Sequence, residues 1–201
     1  AKPSNEYPVR TPQSSDDFSK SVLSPQWEWN YQPRDEMWSL TERPGNLRLK
    51  AFRPLVTDNL LKAGNTLTQR CFRTNKNEVI VKMNIEGMVD GQKAGLCHYS
   101  ESYPMVGVRQ SGKDRNLEFQ TNKEKITGPA IKGNKVWIKS VWGLDGKSQF
   151  SYSTDGRKFT PFGEVYQLEW GYYRGSRIGI YCFNNIADAG YIDVDEFIYL
   201  Y

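Results

Sequence analysis

From Trp27 onward the chain is a succession of short runs in which side-chain character alternates with a period of two. Trp27-Glu28-Trp29-Asn30-Tyr31 alternates aromatic with polar, and Leu47-Arg48-Leu49-Lys50-Ala51 alternates apolar with basic. Val79 to Ile85 is more uniformly apolar. Similar runs follow over 94–99, 105–109, 116–120, 136–142, 149–153, 177–183 and 191–199. Successive side chains of a strand point to opposite faces, so this pattern describes strands with one face buried. No window of helical length keeps a 3.6-residue period. Turn signals punctuate the runs: Arg43-Pro44-Gly45-Asn46, Asp90-Gly91, Ser111-Gly112-Lys113-Asp114, Lys132-Gly133-Asn134, Asp145-Gly146 and Asp155-Gly156. Asp-Gly between strands is a strong hairpin signal, because both residues tolerate the positive φ of a primed turn. The pattern predicts an all-β, antiparallel two-sheet β-sandwich of roughly a dozen or more strands. No fixed-period repeat stands out, which argues against a propeller for this piece.

The length of 201 residues suits one large β domain. Residues 1–15 hold three prolines and no periodicity, and read as a linker or arm from an upstream domain. The sandwich is then expected over 16–201. The start at Ala1 reads as a fragment, so the lack of a leader says nothing about where the parent acts. No apolar stretch is long enough to span a bilayer. The net charge of +4 comes without a dense basic run, so nucleic acid is not an expected partner. The three cysteines, Cys71, Cys97 and Cys182, are odd in number and lack a Cys-x-x-Cys spacing. They are expected to be buried free thiols rather than a disulfide framework or a zinc site. His98, the only histidine, has no nucleophile or acid in view and reads as structural.

Two constellations could carry function. The first lies at the chain ends, where Asp16-Asp17 opens the patterned region and Asp193-Val194-Asp195-Glu196 helps to close it. A sandwich often pairs its first and last strands, which hides their edges. Asp16 or Asp17 could then meet Asp193 or Asp195 and hold a structural calcium ion, since hard cations gather carboxylates from distant segments. The alternative is that these acids cap turns or face solvent. On a regular strand Asp193 and Asp195 share one face, but the spacing lacks the third acid of some jelly-roll glycanases. The second constellation is aromatic. Aromatic residues make up 13% of the chain, including six Trp. Trp137, and one of Trp27 and Trp29, read as core. Trp170, Tyr172, Tyr173 and Arg174 do not alternate and are flanked by glycine. They read as a carbohydrate-binding or domain-docking loop.

These segments carry a family resemblance. Asp16-Asp17-Phe18 with Leu23 and Trp27, then Trp38-Ser39-Leu40 and Gly45-Asn46-Leu47-Arg48-Leu49, resemble the opening of the C-terminal concanavalin-A-like sandwich of glycoside hydrolase family 43. Leu67-Thr68-Gln69-Arg70, Ala94-Gly95-Leu96 and Phe150-Ser151-Tyr152-Ser153-Thr154-Asp155-Gly156 resemble its interior strands. Ala189 to Tyr199 resembles its closing strand. The chain departs where the family usually shows Phe-Thr-Gly-x-x-x-Gly, for it has Trp170-Gly171-Tyr172-Tyr173-Arg174-Gly175-Ser176-Arg177-Ile178-Gly179. The resemblance implies a jelly-roll accessory domain without catalytic residues, packed on an upstream catalytic propeller. It implies a bacterial parent, periplasmic or secreted, of the β-xylosidase or α-L-arabinofuranosidase type, acting on plant polysaccharide or oligosaccharide. The docking face should then carry an exposed apolar patch, with Tyr7-Pro8-Val9 and the 170–174 loop as contributors. Two rivals remain open: a stand-alone carbohydrate-binding module or lectin, and a jelly-roll hydrolase using Asp193 and Asp195.

Overall fold

A computed structural model describes residues 11–30, 33–169 and 175–201. Fifteen strands are found among them. In chain order they are β1 (Glu28–Trp29), β2 (Trp38–Ser39), β3 (Leu47–Lys50), β4 (Thr66–Arg70) and β5 (Asn77–Asn84). Next come β6 (Gln92–Tyr99), β7 (Pro104–Ser111), β8 (Asp114–Thr121), β9 (Lys125–Ala130) and β10 (Lys135–Trp142). The last are β11 (Lys147–Ser153), β12 (Thr160–Pro161), β13 (Tyr166–Gln167), β14 (Arg177–Asn184) and β15 (Tyr191–Leu200). One sheet has the order β1-β4-β14-β6-β7-β8-β9. The other runs β12-β11-β10-β5-β15-β3-β2, with β13 pairing β11. The expected antiparallel sandwich is therefore present. Among the described residues no helix is long and apolar enough to cross a membrane.

Alternation builds the core. Leu67, Leu96, Val106, Phe119, Ile178 and Ile180 face inward from one sheet, and Val79, Val81, Met83, Ile138 and Phe150 from the other. The closing strand keeps its apolar side inward by breaking its own period. A register shift between Val194 and Glu196 lets Ile192 and Val194, then Phe197 and Tyr199, all face the core. A bulge adds one residue and so reverses the parity of everything after it. Trp137, expected in the core, lies on the outer face. Its neighbours Val136 and Ile138 are buried instead, and Gly156 packs on the indole edge. The strand β9 was not expected, because Gly128 and Pro129 break its propensity. It sits at a sheet edge, where a missing N–H is tolerated.

The outer face of the first sheet is itself covered. Leu60 and Ala63 pack on Cys97, Met105, Tyr181 and Phe183, which form a second, smaller core. Gly95 opposes Gly107 beneath the Tyr181 hydroxyl, where a Cβ on Gly107 would lie 2.3 Å from that oxygen. The pair gives the Ala-Gly-Leu segment a steric purpose. Lys93 and Glu118 are buried under the same cover and paired with each other, and Lys93 also reaches Asp58 at 2.5 Å.

The chain ends meet as expected. Asp16 N–H donates to Phe197 O, and Phe197 N–H donates to Asp16 O, both at 2.9 Å. Residues of the proposed arm extend this seam: Tyr199 N–H donates to Ser15 Oγ at 2.8 Å, and Gln69 Nε2 donates to Ser14 O at 2.8 Å. The two oxygens of Asp16 accept from Phe18 N (2.9 Å) and from the Trp27 indole N–H (2.8 Å). Phe18 adopts φ 51°, which lets its ring lie 5.9 Å from that of Trp27. The opening motif is thus a plug that closes over Phe197, whose ring stands edge-on to Trp27 at 4.8 Å. Asp16→Ala should orphan two buried donors and destabilise the fold by about 1–3 kcal/mol. Asp17→Ala, at an exposed position, should leave the urea midpoint in place. Equilibrium unfolding with an unchanged slope checks both.

Candidate functional site

The four end acids do not converge. Asp193 is buried and held by three guanidinium contacts: Arg48 Nε at 2.8 Å, Arg48 Nη2 at 3.0 Å and Arg43 Nη1 at 2.8 Å. Burial pushes its carboxyl up, but the hydrogen bonds from Arg48 and Arg43 outweigh that and hold it below the usual carboxylate range. Asp195 pairs with Lys82 at 2.6 Å. Asp16 is committed to Trp27 and Phe18, and Asp17 caps its own turn through Ser19. Among the described residues no three His, Cys, Asp or Glu side chains gather in a way that could hold a metal ion. The donor set does not fit calcium: the carboxylates that the sequence nominates are already satisfied by cations and N–H donors, which compete for the same lone pairs. The same pairing leaves neither Asp193 nor Asp195 placed as an acid or a nucleophile.

His98 lies between the sheets. Its Nε2 is 2.8 Å from Ser140 Oγ and 3.0 Å from Ser148 Oγ, and its Nδ1 is 3.7 Å from Cys71 Sγ. Burial pushes the imidazole down to about 3, so it is neutral, and pushes the Cys71 and Cys182 thiols up to about 12. All three cysteines are free and buried, as expected. This group is sealed packing with no route for a substrate.

The aromatic segment 170–174 is the remaining candidate. Trp170, Tyr172, Tyr173 and Arg174 lie outside the described residues, as do Tyr7, Pro8 and Val9. The described residues that flank 170–174 are fixed. Leu168 is buried and its N–H donates to Gly146 O at 2.7 Å. Glu169 Oε2 accepts from Ser102 Oγ at 2.6 Å, and the Tyr166 hydroxyl bonds the same serine. Burial raises the Tyr166 hydroxyl, partly offset by that serine. On the other side, Cys71 N–H donates to Ser176 O at 3.1 Å. Arg177 is buried, with Nε donating to Thr68 Oγ1 at 2.9 Å and Nη2 2.8 Å from Glu28. At this end of the sandwich Leu144, Leu200 and Tyr201 are exposed, and Tyr201 packs on Phe72 with ring centroids 4.3 Å apart.

Sequence reasoning missed the Arg43–Arg48–Asp193 group and the Ser102–Tyr166–Glu169 chain. The first left a faint signal, since the basic Arg48 and Lys50 alternate on β3 as Asp193 and Asp195 do on β15. The second left none, because Ser102 lies 64 residues from Tyr166 and 67 from Glu169, with no local pattern linking them. Asp193 is depressed in the folded state, so its share of stability is present above the unfolded value of about 3.9 and is lost as pH falls through the lower folded value. Asp193→Asn should cost about 1–3 kcal/mol at neutral pH and flatten the acid limb of the stability profile. Urea midpoints measured from neutral pH downward check this; an unchanged acid limb would remove the ion group from the account.

Residues 15–200 match the family described as the β-xylosidase C-terminal concanavalin A-like domain. The chain is 36% identical over 100% of its length to a β-xylosidase of Formosa agariphila, and covers 37% of that protein. It is 28% identical over 63% of its length to a non-reducing end α-L-arabinofuranosidase of Bacteroides ovatus, and covers 23% of it. Among solved structures, a bifunctional GH43-CE protein of Bacteroides eggerthii matches 92% of the chain with a TM-score of 0.85 at 27% identity. The chain covers 25% of that structure, so it spans well under half the length of each of these relatives. With the paired ends, the two sheets and the opening plug in place, the chain belongs to the family of β-xylosidase C-terminal concanavalin A-like domains.

Proposed function

We propose that the chain is a non-catalytic accessory domain of a xylan- or arabinoxylan-degrading glycoside hydrolase. It packs on a catalytic propeller and shapes the path by which plant polysaccharide or oligosaccharide reaches that propeller's active site. One observation carries the reading: Asp193 and Asp195, the acids best placed for chemistry, are each tied to basic side chains in a chain that matches a C-terminal domain. We assign the docking face to the end that carries Leu144, Leu200, Tyr201 and the feet of the 170–174 segment. Apolar side chains left in water there gain from being covered.

A domain exchange tests this. The isolated chain should release no product from aryl xyloside or aryl arabinofuranoside beyond the buffer rate. Installed in place of the C-terminal domain of the Formosa agariphila β-xylosidase, it should restore turnover that a truncated enzyme lacks. Turnover by the pure chain that Asp195→Asn abolishes would overturn the reading, as would a folded chimera no better than the truncated enzyme.

A further inference from the structure

A cavity of about 280 Å³ opens between the turn after β8 and the segment that leads into residues 170–174. Ser102, Tyr103, Asn122, Glu124, Tyr166 and Glu169 line it. We propose that this cleft binds one or two neutral sugar units. The proposal rests on the accessory-domain reading only for the class of polysaccharide that supplies them.

The walls are preformed. On one side Thr121 N–H donates to Glu124 O at 2.9 Å, while Thr121 Oγ1 accepts from Lys123 N (3.1 Å) and Glu124 N (3.2 Å). Asn122 Oδ1 accepts from Tyr103 N at 3.2 Å. On the other side Tyr166 pairs with Ser148 in β11. Preformed concave sites with aromatic walls and a few fixed polar groups are where small ligands bind. The volume falls just under the range of about 300–1,000 Å³ for drug-sized ligands, which sets the occupant at about one or two rings.

The chemistry of the lining selects a neutral polyol. Tyr166, only partly buried, offers ring surface for the C–H face of a sugar, while Tyr103 is buried in the second core and forms the floor. Ser102 Oγ donates to Glu169, so the Tyr166 hydroxyl donates to Ser102, and this chain of donors fixes the orientation of the Glu169 carboxylate. A fixed carboxylate accepts from sugar hydroxyls in strong, charge-assisted bonds. Two acids, Glu124 and Glu169, stand against one base, Lys123, so the cleft repels an anionic ligand. Glu169 is the last described residue before 170–174.

Calorimetric and NMR titration of the chain with xylobiose and xylotriose tests the cleft, with glucuronic acid as the anionic comparison. The expected result is saturable binding of the neutral sugars, weakened about tenfold or more by Tyr166→Ala and by Glu169→Gln. It should be untouched by Trp137→Ala, since Trp137 sits beside Ser153 at the other end of β11 from the Ser148–Tyr166 pair. Glu169 is exposed, so its variant reports on binding even if Tyr166→Ala unfolds the edge. Absence of binding overturns the proposal. So does binding that neither variant weakens, or a preference for the anionic sugar. A chimera that is active with a chain that binds no sugar discards the cleft and keeps the accessory role. A sugar-binding chain whose folded chimera is inactive does the reverse.

Discussion

The pairing of the last strand into the middle of its sheet is the constraint on which the rest of the molecule depends. Strand β15 lies between β5 and β3, so the eight-stranded sheet is incomplete until residues 191–200 arrive. Its core side chains, Ile192, Val194, Phe197 and Tyr199, touch material from both ends of the chain. Phe197 receives the Asp16 bridge and the Trp27 ring, and the Tyr199 hydroxyl accepts from Phe72 N–H at 2.8 Å. These contacts join residues far apart in sequence, so they form only after costly loop closures. Once formed, they leave no free edge at the centre of the sheet.

Charge is used in this fold to hold surfaces in place. Asp193 is fixed by Arg43 and Arg48, and Arg48 lies 4.1 Å over the ring of Tyr191. Lys93 and Glu118 are nearly fully buried on the outer face of the other sheet, beside Asp58, with Lys125 reaching Asp58 from the rim. Removing ions from water is costly, and such groups contribute geometric definition more surely than net stability. Their position under the segment that contains Leu60 and Ala63 suits that purpose, since the segment must seat on the sheet in one way.

The same pattern of partners leaves Asp193 and Asp195 unlike a hydrolytic pair. A hydrolytic pair needs one carboxyl held protonated and another held as a nucleophile or base, at a controlled separation. Here the cations lower Asp193 and occupy Asp195, while the buried His98 is kept neutral among Ser140, Ser148 and Cys71. The features assigned to recognition lie at one end of the sandwich. The feet of the 170–174 segment, the Tyr166 cleft and the exposed Leu144, Leu200 and Tyr201 are gathered there.

The sequence by itself determined the strands, the hairpin turns and the sandwich, because period-two burial and turn chemistry are local properties. Runs such as 79–85 and 136–142 coincide with β5 and β10 with little change at their ends. It also placed the two chain ends together, and the motif around Asp16 and Trp27 was visible, though its purpose as a plug was not. Tertiary structure alone decided which face each alternating run presents to the core. Trp137 reads as core as an aromatic in a sandwich strand, yet its strand turns Val136 and Ile138 inward, a choice made by the opposing sheet. The bulge between Val194 and Glu196 reversed the parity that the alternation of Asp193 and Asp195 implied. The partners of those acids come from residues more than 100 positions away, as with the 145 that separate Arg48 from Asp193 and the Lys82 that pairs Asp195. No local pattern specifies such a pairing, because the energy that selects it appears only when the strands are already side by side.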